Sequence, residues 1–259
     1  MAIDAEFVDH PGAGGYHPRT SRHSDFLSMI IIRDLVHQCP LLRERAERGE
    51  IVAKLRHHQR VGHADWVIDA AIGTCPGSPT LPQDGEIRFG APVMIQIAIE
   101  LKSIFTEHGK ARLNRLRDFN SFHGYAHEYN PRTVAAGFLA VNASRYFYSP
   151  LRADNDITDH TTGKWTPRQV AQNAVSAFRS IHLRNATSDI PGMEAIGVIV
   201  VEHDNLAFHP DPQSYSASHR PTRVAPIPPS LPVGDPLNYY SMIQRICDNY
   251  TQRFSGSSL

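Results

Sequence analysis

The chain has 259 residues, 41% of them hydrophobic and 20% charged, enough apolar mass for a sizeable core and too much for wholesale disorder. Twenty-six Lys and Arg balance 26 Asp and Glu, which excludes a uniformly basic surface, so any nucleic-acid contact must be local. Cys39, Cys75 and Cys247 are odd in number and far apart, which argues against a disulfide framework or a zinc knuckle.

No apolar run approaches the roughly 20 residues needed to span a bilayer, and the N-terminus lacks a basic-then-apolar signal pattern. No membrane partner is therefore expected, and a reducing cytoplasm is the expected location. Residues 1–23, with Pro11-Gly12-Ala13-Gly14-Gly15, read as a flexible arm. Ser24 or Asp25 can cap a helix to about Gln38, with Phe26, Met29, Ile30 and Ile31 on its apolar side. Pro40 suits the first turn of a second, short helix that Gly49 stops. There Glu44, Glu47 and Glu50 are interleaved with Arg43, Arg45 and Arg48, the pattern of a solvated charged face.

The stretch 64–72 alternates as a strand does, with Trp66, Ile68, Ala70 and Ile72 on one face and Asp65, Val67, Asp69 and Ala71 on the other. Asp69 near its middle is costly to bury unless a metal ion or a cation faces it. Residues 73–85 are a Pro- and Gly-rich loop, and 86–89 a short strand. The segment 93–102 alternates again. Ile95, Ile97, Ile99 and Leu101 take one face, and Gln96, Ala98, Glu100 and Lys102 the other. Residues two apart on a strand are roughly 6.5–7 Å apart at the backbone. Glu100 could therefore hold a metal ion while Lys102 reaches an oxygen or water beside it. An edge-strand ion pair facing water would show the same spacing.

Residues 107–129 read as a helix ended by Pro131, with Leu113 and Leu116 packing inward. Lys110, Arg112, Arg115 and Arg117 crowd its first half, either as a solvated face or as phosphate contacts. His123 and His127 are spaced to share one helical face. Residues 134–141 and 195–201 are apolar strands suited to a sheet buried on both sides, the second running on to Glu202 and Asp204. Residues 143–165 read as an aromatic and polar loop. Thr166-Pro167 opens a helix with Val170, Ala174, Ala177, Phe178 and Ile181 on one side. Residues 208–236 form a Pro-rich arm, and a last helix runs from Asp235-Pro236 through Arg253 with Leu237, Tyr240, Ile243 and Ile246 inward. The expected fold is α/β, a mixed central sheet flanked by helices, in a single domain over 24–259 whose arm and last helix occupy 208–259.

The order of these pieces is a helical start, a strand carrying Asp69, a loop and hairpin, a strand ending Glu100-x-Lys102, a basic helix and then buried strands. It resembles the PD-(D/E)xK nuclease superfamily, which holds many type II restriction endonucleases and repair nucleases. The likeness covers residues 64–142 well and 166–202 loosely. It implies a restriction-endonuclease-like core and a Mg²⁺-dependent endonuclease acting on DNA, in restriction or defence. Asp69 and Glu100 would hold Mg²⁺, for which Mn²⁺ can substitute, and Lys102 would orient water or offset charge. Lys110, Arg112, Arg115 and Arg117 would hold the DNA, and a homodimer would present two sites to a palindromic duplex. The chain departs from the pattern in having Ile68 rather than Pro before Asp69, and Asp65 shares the face of Asp69 and is an alternative ligand. Gln96 is a further accessory candidate, and Glu44 or Glu47 could supply a first-helix acid. Two other readings compete: a nucleic-acid-binding subunit of the same fold without cleavage, and an unrelated metal hydrolase built on His63, Asp65, His123 and His127.

Overall fold

A computed structural model describes residues 22–75, 77, 86–149, 157–161, 163–209, 211 and 220–256. Nearly all of the expected N-terminal arm, most of the loop at 73–85 and part of the Pro-rich arm lie outside these residues.

Helices α1 (Arg22–Gln38) and α2 (Pro40–Glu47) open the described chain. Cys39 between them is extended, as a residue before proline prefers, and Gly49 takes φ 69° just beyond α2, where a left-handed residue ends a helix at least cost. Strands β1 (Ile51–Val61) and β2 (Ala64–Thr74) follow as an antiparallel hairpin, turning at Gly62 with φ 55°. No element is expected at β1 from the sequence. Then come β3 (Arg88–Phe89), β4 (Ile95–Ile104), helix α3 (His108–Tyr129) and β5 (Val134–Asn142). The segment read as a plain loop contains an antiparallel pair, β6 (Tyr146–Tyr148) and β7 (Ile157–Asp159). Helix α4 (Pro167–Phe178), β8 (Ala195–Glu202), a 3₁₀ turn (Leu206–Phe208), β9 (Arg223–Val224) and helix α5 (Tyr239–Phe254) complete the order.

The main sheet has seven strands in the order β3-β1-β2-β4-β5-β8-β9. Its first half is antiparallel through β1, β2 and β4, and its centre is parallel through β4, β5 and β8. β3 pairs in parallel with β1 at the edge, so the hairpin is β1–β2 and does not lie just before β4 as expected. The observed fold is thus α/β with a mixed sheet and helices on both faces.

The residues of β5 are all buried and alternate between two apolar layers. Val134, Ala136, Phe138 and Ala140 join α1, α2 and α5. Ala135, Leu139 and Val141 join α3 and α4. Period-2 side-chain direction on a strand covered on both faces explains the unbroken apolar run. Each fully buried Ile or Phe in these layers contributes roughly 1.5–3 kcal/mol, enough in sum to carry a few buried polar groups.

α4 starts where expected because Thr166 and Gln169 cap one another's backbone N–H groups, with Pro167 following. α5 starts later than expected. The Asp235 carboxylate accepts the N–H of Leu237, and Asn238 caps the helix by accepting from Tyr240. Tyr239 is buried in consequence and Tyr240, expected inward, is largely exposed.

Two irregularities break the expected alternation. Ile97 pairs with Ile72 while Ile95 pairs with Gly73, so Gln96 is the extra residue of a bulge. Ile95 then packs beneath α3 while Ile97, Ile99 and Leu101 pack beneath α1 and α5. A Cβ on Gly73 would stand 1.9 Å from the Met94 carbonyl oxygen, so this close approach admits only glycine. In β2, Trp66 and Ile68 join the α3 layer but Ala70 and Ile72 the opposite one. The change falls at Asp69, across from Arg56, whose φ is 46°.

Candidate active site

Asp69, Glu100 and Lys102 meet. The last paired residues in this part of β2 and β4 are Ala70 and Ile99, and the same register carries Asp69 to the level of Glu100 one step further on. Asp69 Oδ2 accepts the backbone N–H of Leu101 at 2.7 Å, which fixes the β2 acid between the two functional residues of β4. Lys102 Nζ donates to Glu100 Oε1. The Lys102 side chain stays partly open to solvent while Glu100 is buried.

Both carboxyls hold protons more tightly than usual. Burial pushes Glu100 up to about 7, with Lys102 opposing and the Asp69 charge adding. Burial likewise raises Asp69, against the Leu101 N–H and Lys102, and the charge of Asp25 raises it further. Two like-charged acids in a low-dielectric place can share a proton or a cation far more readily than both stand ionised and alone.

Asp25 was expected only as a helix cap. α1 begins at Arg22, so Asp25 lies in its first turn, where it is 3.2 Å from Arg56 Nε. Glu44 and Glu47 do not serve: Glu44 makes a surface pair with Arg48 at 3.0 Å, and Glu47 is exposed. Asp65 is exposed and pairs with His58 Nδ1 at 3.1 Å, so the choice between the two β2 acids falls on Asp69. Gln96 is turned by the bulge to the other layer, where its Oε1 accepts from Tyr250 at 3.0 Å and Arg45 at 3.5 Å.

The four cations of α3 do not form one row. Lys110 and Arg117 are exposed, whereas Arg112 and Arg115 are half-buried, as positions on opposite sides of a 3.6-residue helix must be. Arg115 also pairs with Asp118 at 3.1 Å. Leu113, expected inward, is 52% exposed, and only Leu116 packs against the layer below. Lys110 and Arg115 line a cavity of about 370 Å³ with Ser103, Phe105, Glu107 and Asn114, which starts at the residue after Lys102 in the chain.

Among the described residues no group of three or more His, Cys, Asp or Glu side chains is arranged to hold a metal ion. Asp69 and Glu100 offer two carboxylates, which fits an ion that keeps several waters and takes phosphate oxygens, as Mg²⁺ does, and not a closed zinc site. The histidine alternative does not assemble. His63 is exposed at the hairpin turn. His127 Nε2 is committed to the fully buried Glu194 at 3.2 Å, which also takes Arg253 at 2.9 Å, Arg184 at 3.5 Å and the Ala135 N–H at 2.7 Å. That network ties α3 and α5 to the start of β5.

No protein-family model matches the chain, and neither does any curated protein or solved structure. No helix among the described residues is long and apolar enough to cross a membrane.

Proposed function

We propose that the protein is a divalent-metal-dependent endonuclease that hydrolyses phosphodiester bonds of DNA, of the restriction or defence type. One observation carries this reading: a buried and a half-buried carboxyl and one ammonium, from adjacent strands, converge, and Ser103, next in the chain after Lys102, opens a cavity that Lys110 and Arg115 line together with Glu107. Burying Asp69 and Glu100 together is costly for the fold alone, and a bound dication offsets that cost.

Asp69 and Glu100 would hold Mg²⁺ or Mn²⁺, which supplies an acidified water and cover for phosphate charge. The chain's own groups do the rest. The Leu101 N–H holds Asp69 in place. Lys102, whose side chain is partly open to solvent, would place positive charge where negative charge grows on the phosphate. Lys110 and Arg115 hold the backbone on the leaving side. Double-stranded DNA cut by a homodimer is the simplest form of this reading, since two-fold symmetry presents one site to each strand.

The test is cleavage of plasmid and linear duplex DNA by the purified chain. Cutting with Mg²⁺ or Mn²⁺ and silence in EDTA is expected; inactivity on a broad panel of DNA substrates contradicts the reading.

A further inference from the structure

A second cavity, of about 540 Å³, opens at the carboxyl ends of β5 and β8. Ala143, Arg145, Tyr146, Arg168, Glu202 and Arg220 are among its walls. The Arg145 guanidinium lies over the Tyr146 ring at 4.8 Å, and Lys164 lies over the Trp165 ring at 5.4 Å. Trp165 adjoins the lining residue Thr166 and is 44% exposed. Among the described residues Arg145 pairs with Asp159 at 3.4 Å and Arg168 with Glu202 at 2.9 Å, both arginines at least half open to solvent, while Glu202 is mostly covered and also takes Arg223. An exposed pair such as Arg145–Asp159 is worth little, and Arg223 also neutralises Glu202, so either guanidinium can be shared with an incoming anion. The end of α4 adds less, because Thr166 already takes the N–H of Gln169 and Pro167 has none to give.

Rings capped by cations, at the mouth of a concave cleft, are the means by which proteins hold unstacked bases and the phosphates beside them. The volume suits one nucleotide and not a duplex. The cleft is also near the proposed active site. β4, β5 and β8 are neighbours, so Lys102 and the end of β5 are separated by about 10–15 Å at the backbone. Past the end of β5 two buried histidines meet: His108 Nε2 bonds the Asn142 carbonyl and His160 Nδ1 the Ser144 carbonyl, each at 2.7 Å, with the two rings 4.8 Å apart.

We propose that this cleft binds one unpaired nucleotide of the strand that the Asp69–Glu100–Lys102 site cuts, its base against Tyr146 or Trp165 and its phosphate on Arg145 and Arg168. The link to the cut strand rests on the nuclease reading; the binding of an unpaired nucleotide does not.

The chain has two tryptophans, and Trp66 is buried, so fluorescence of an exposed indole reports Trp165. The full chain is titrated in EDTA with a 12-nucleotide oligothymidylate, with the matching blunt duplex and with thymidine monophosphate. Saturable quenching by the oligonucleotide is expected, lost in Trp165→Phe, absent with the duplex and at least tenfold weaker with the mononucleotide. Tyr146→Ala should weaken oligonucleotide binding about tenfold, and Arg145→Gln with Arg168→Gln at least as much, with unchanged circular dichroism and melting. Equal quenching by the blunt duplex, or undiminished affinity in the folded arginine variant, overturns the assignment. The same preparations are assayed for Mg²⁺-dependent cutting. Cutting by a protein whose arginine variant binds normally removes the cleft and leaves the nuclease; quenching that the variants abolish, in a protein that cuts nothing, removes the nuclease and leaves the nucleotide site.

Discussion

The Asp69 carboxylate accepts the backbone N–H of Leu101 at 2.7 Å, so the acid of β2 is locked to the residue between Glu100 and Lys102. That bond makes three side chains from two strands one unit and distinguishes Asp69 from Asp65, which only meets His58 at the surface. Asp69→Asn should lower metal-dependent cleavage by about 10²–10³-fold, the scale of removing one charge-stabilising group from a reacting centre. Asp65→Asn should stay within about twofold of the parent. Initial rates on a plasmid at saturating Mg²⁺ decide between them; the reverse ranking moves the site to Asp65.

The raised Glu100 predicts a pH-dependent stability. Its folded pKa of about 7 stands above the ordinary 4.5, so the folded state binds the proton more tightly. The corresponding stabilisation is fully present below about 4.5 and is lost as pH rises through about 7, with a total of roughly 3 kcal/mol. Asp69 shifts in the same direction. In EDTA, therefore, Glu100→Gln should melt higher than the parent at pH 8 and nearly equal to it at pH 4.5. Saturating Mg²⁺ should raise the parent's melting temperature at pH 8 and leave that of the variant unmoved. Parallel melting curves for the two proteins across that range in EDTA would show that the Glu100 carboxyl is not buried as described.

The split of the α3 cations predicts two kinds of effect. Lys110→Ala with Arg117→Ala removes exposed charge and should reduce the slope of log affinity for DNA against log salt by about 2, without loss of melting temperature. Arg115→Ala also removes the partner of Asp118 and part of the cavity wall, so it should lower both binding and thermal stability. An unchanged salt slope in the double variant assigns Lys110 and Arg117 to the solvated face.

Gln96→Ala should act on the fold and not on the site. Its Oε1 accepts from Tyr250 and Arg45 in the layer of α2 and α5, and leaving those donors without it should cost about 1–3 kcal/mol. Cleavage per folded molecule should be unaltered at temperatures where the variant stays folded. A large loss of activity without loss of stability would return Gln96 to the site.

The contrast between Glu100 and Gln96 shows what the sequence conveys. Alternation places Ala98, Glu100 and Lys102 on one face correctly, because strand periodicity is local. Gln96 leaves that face because Gly73, on another strand, lets the Met94 carbonyl approach and forces a bulge; nothing near Gln96 announces it. The buried parallel strands β5 and β8 are legible as unbroken apolar runs. β1 is not, since its outer half, Arg56-His57-His58-Gln59-Arg60, is polar on both faces and its place in the sheet comes from pairing with β2. The role of Asp25 is hidden for a similar reason. A cap and a first-turn acid paired with a distant strand look alike until the helix start and the Arg56 partner are fixed.

The central claim is that Asp69, Glu100 and Lys102 form a metal-dependent phosphodiesterase centre. Its most direct test compares conversion of supercoiled plasmid by the parent chain and by Glu100→Ala, each with excess Mg²⁺ and with EDTA. The account predicts conversion by the parent with Mg²⁺ alone and at least about 10²-fold less by the folded variant. Equal conversion by the two proteins, or conversion that persists in EDTA, would contradict it.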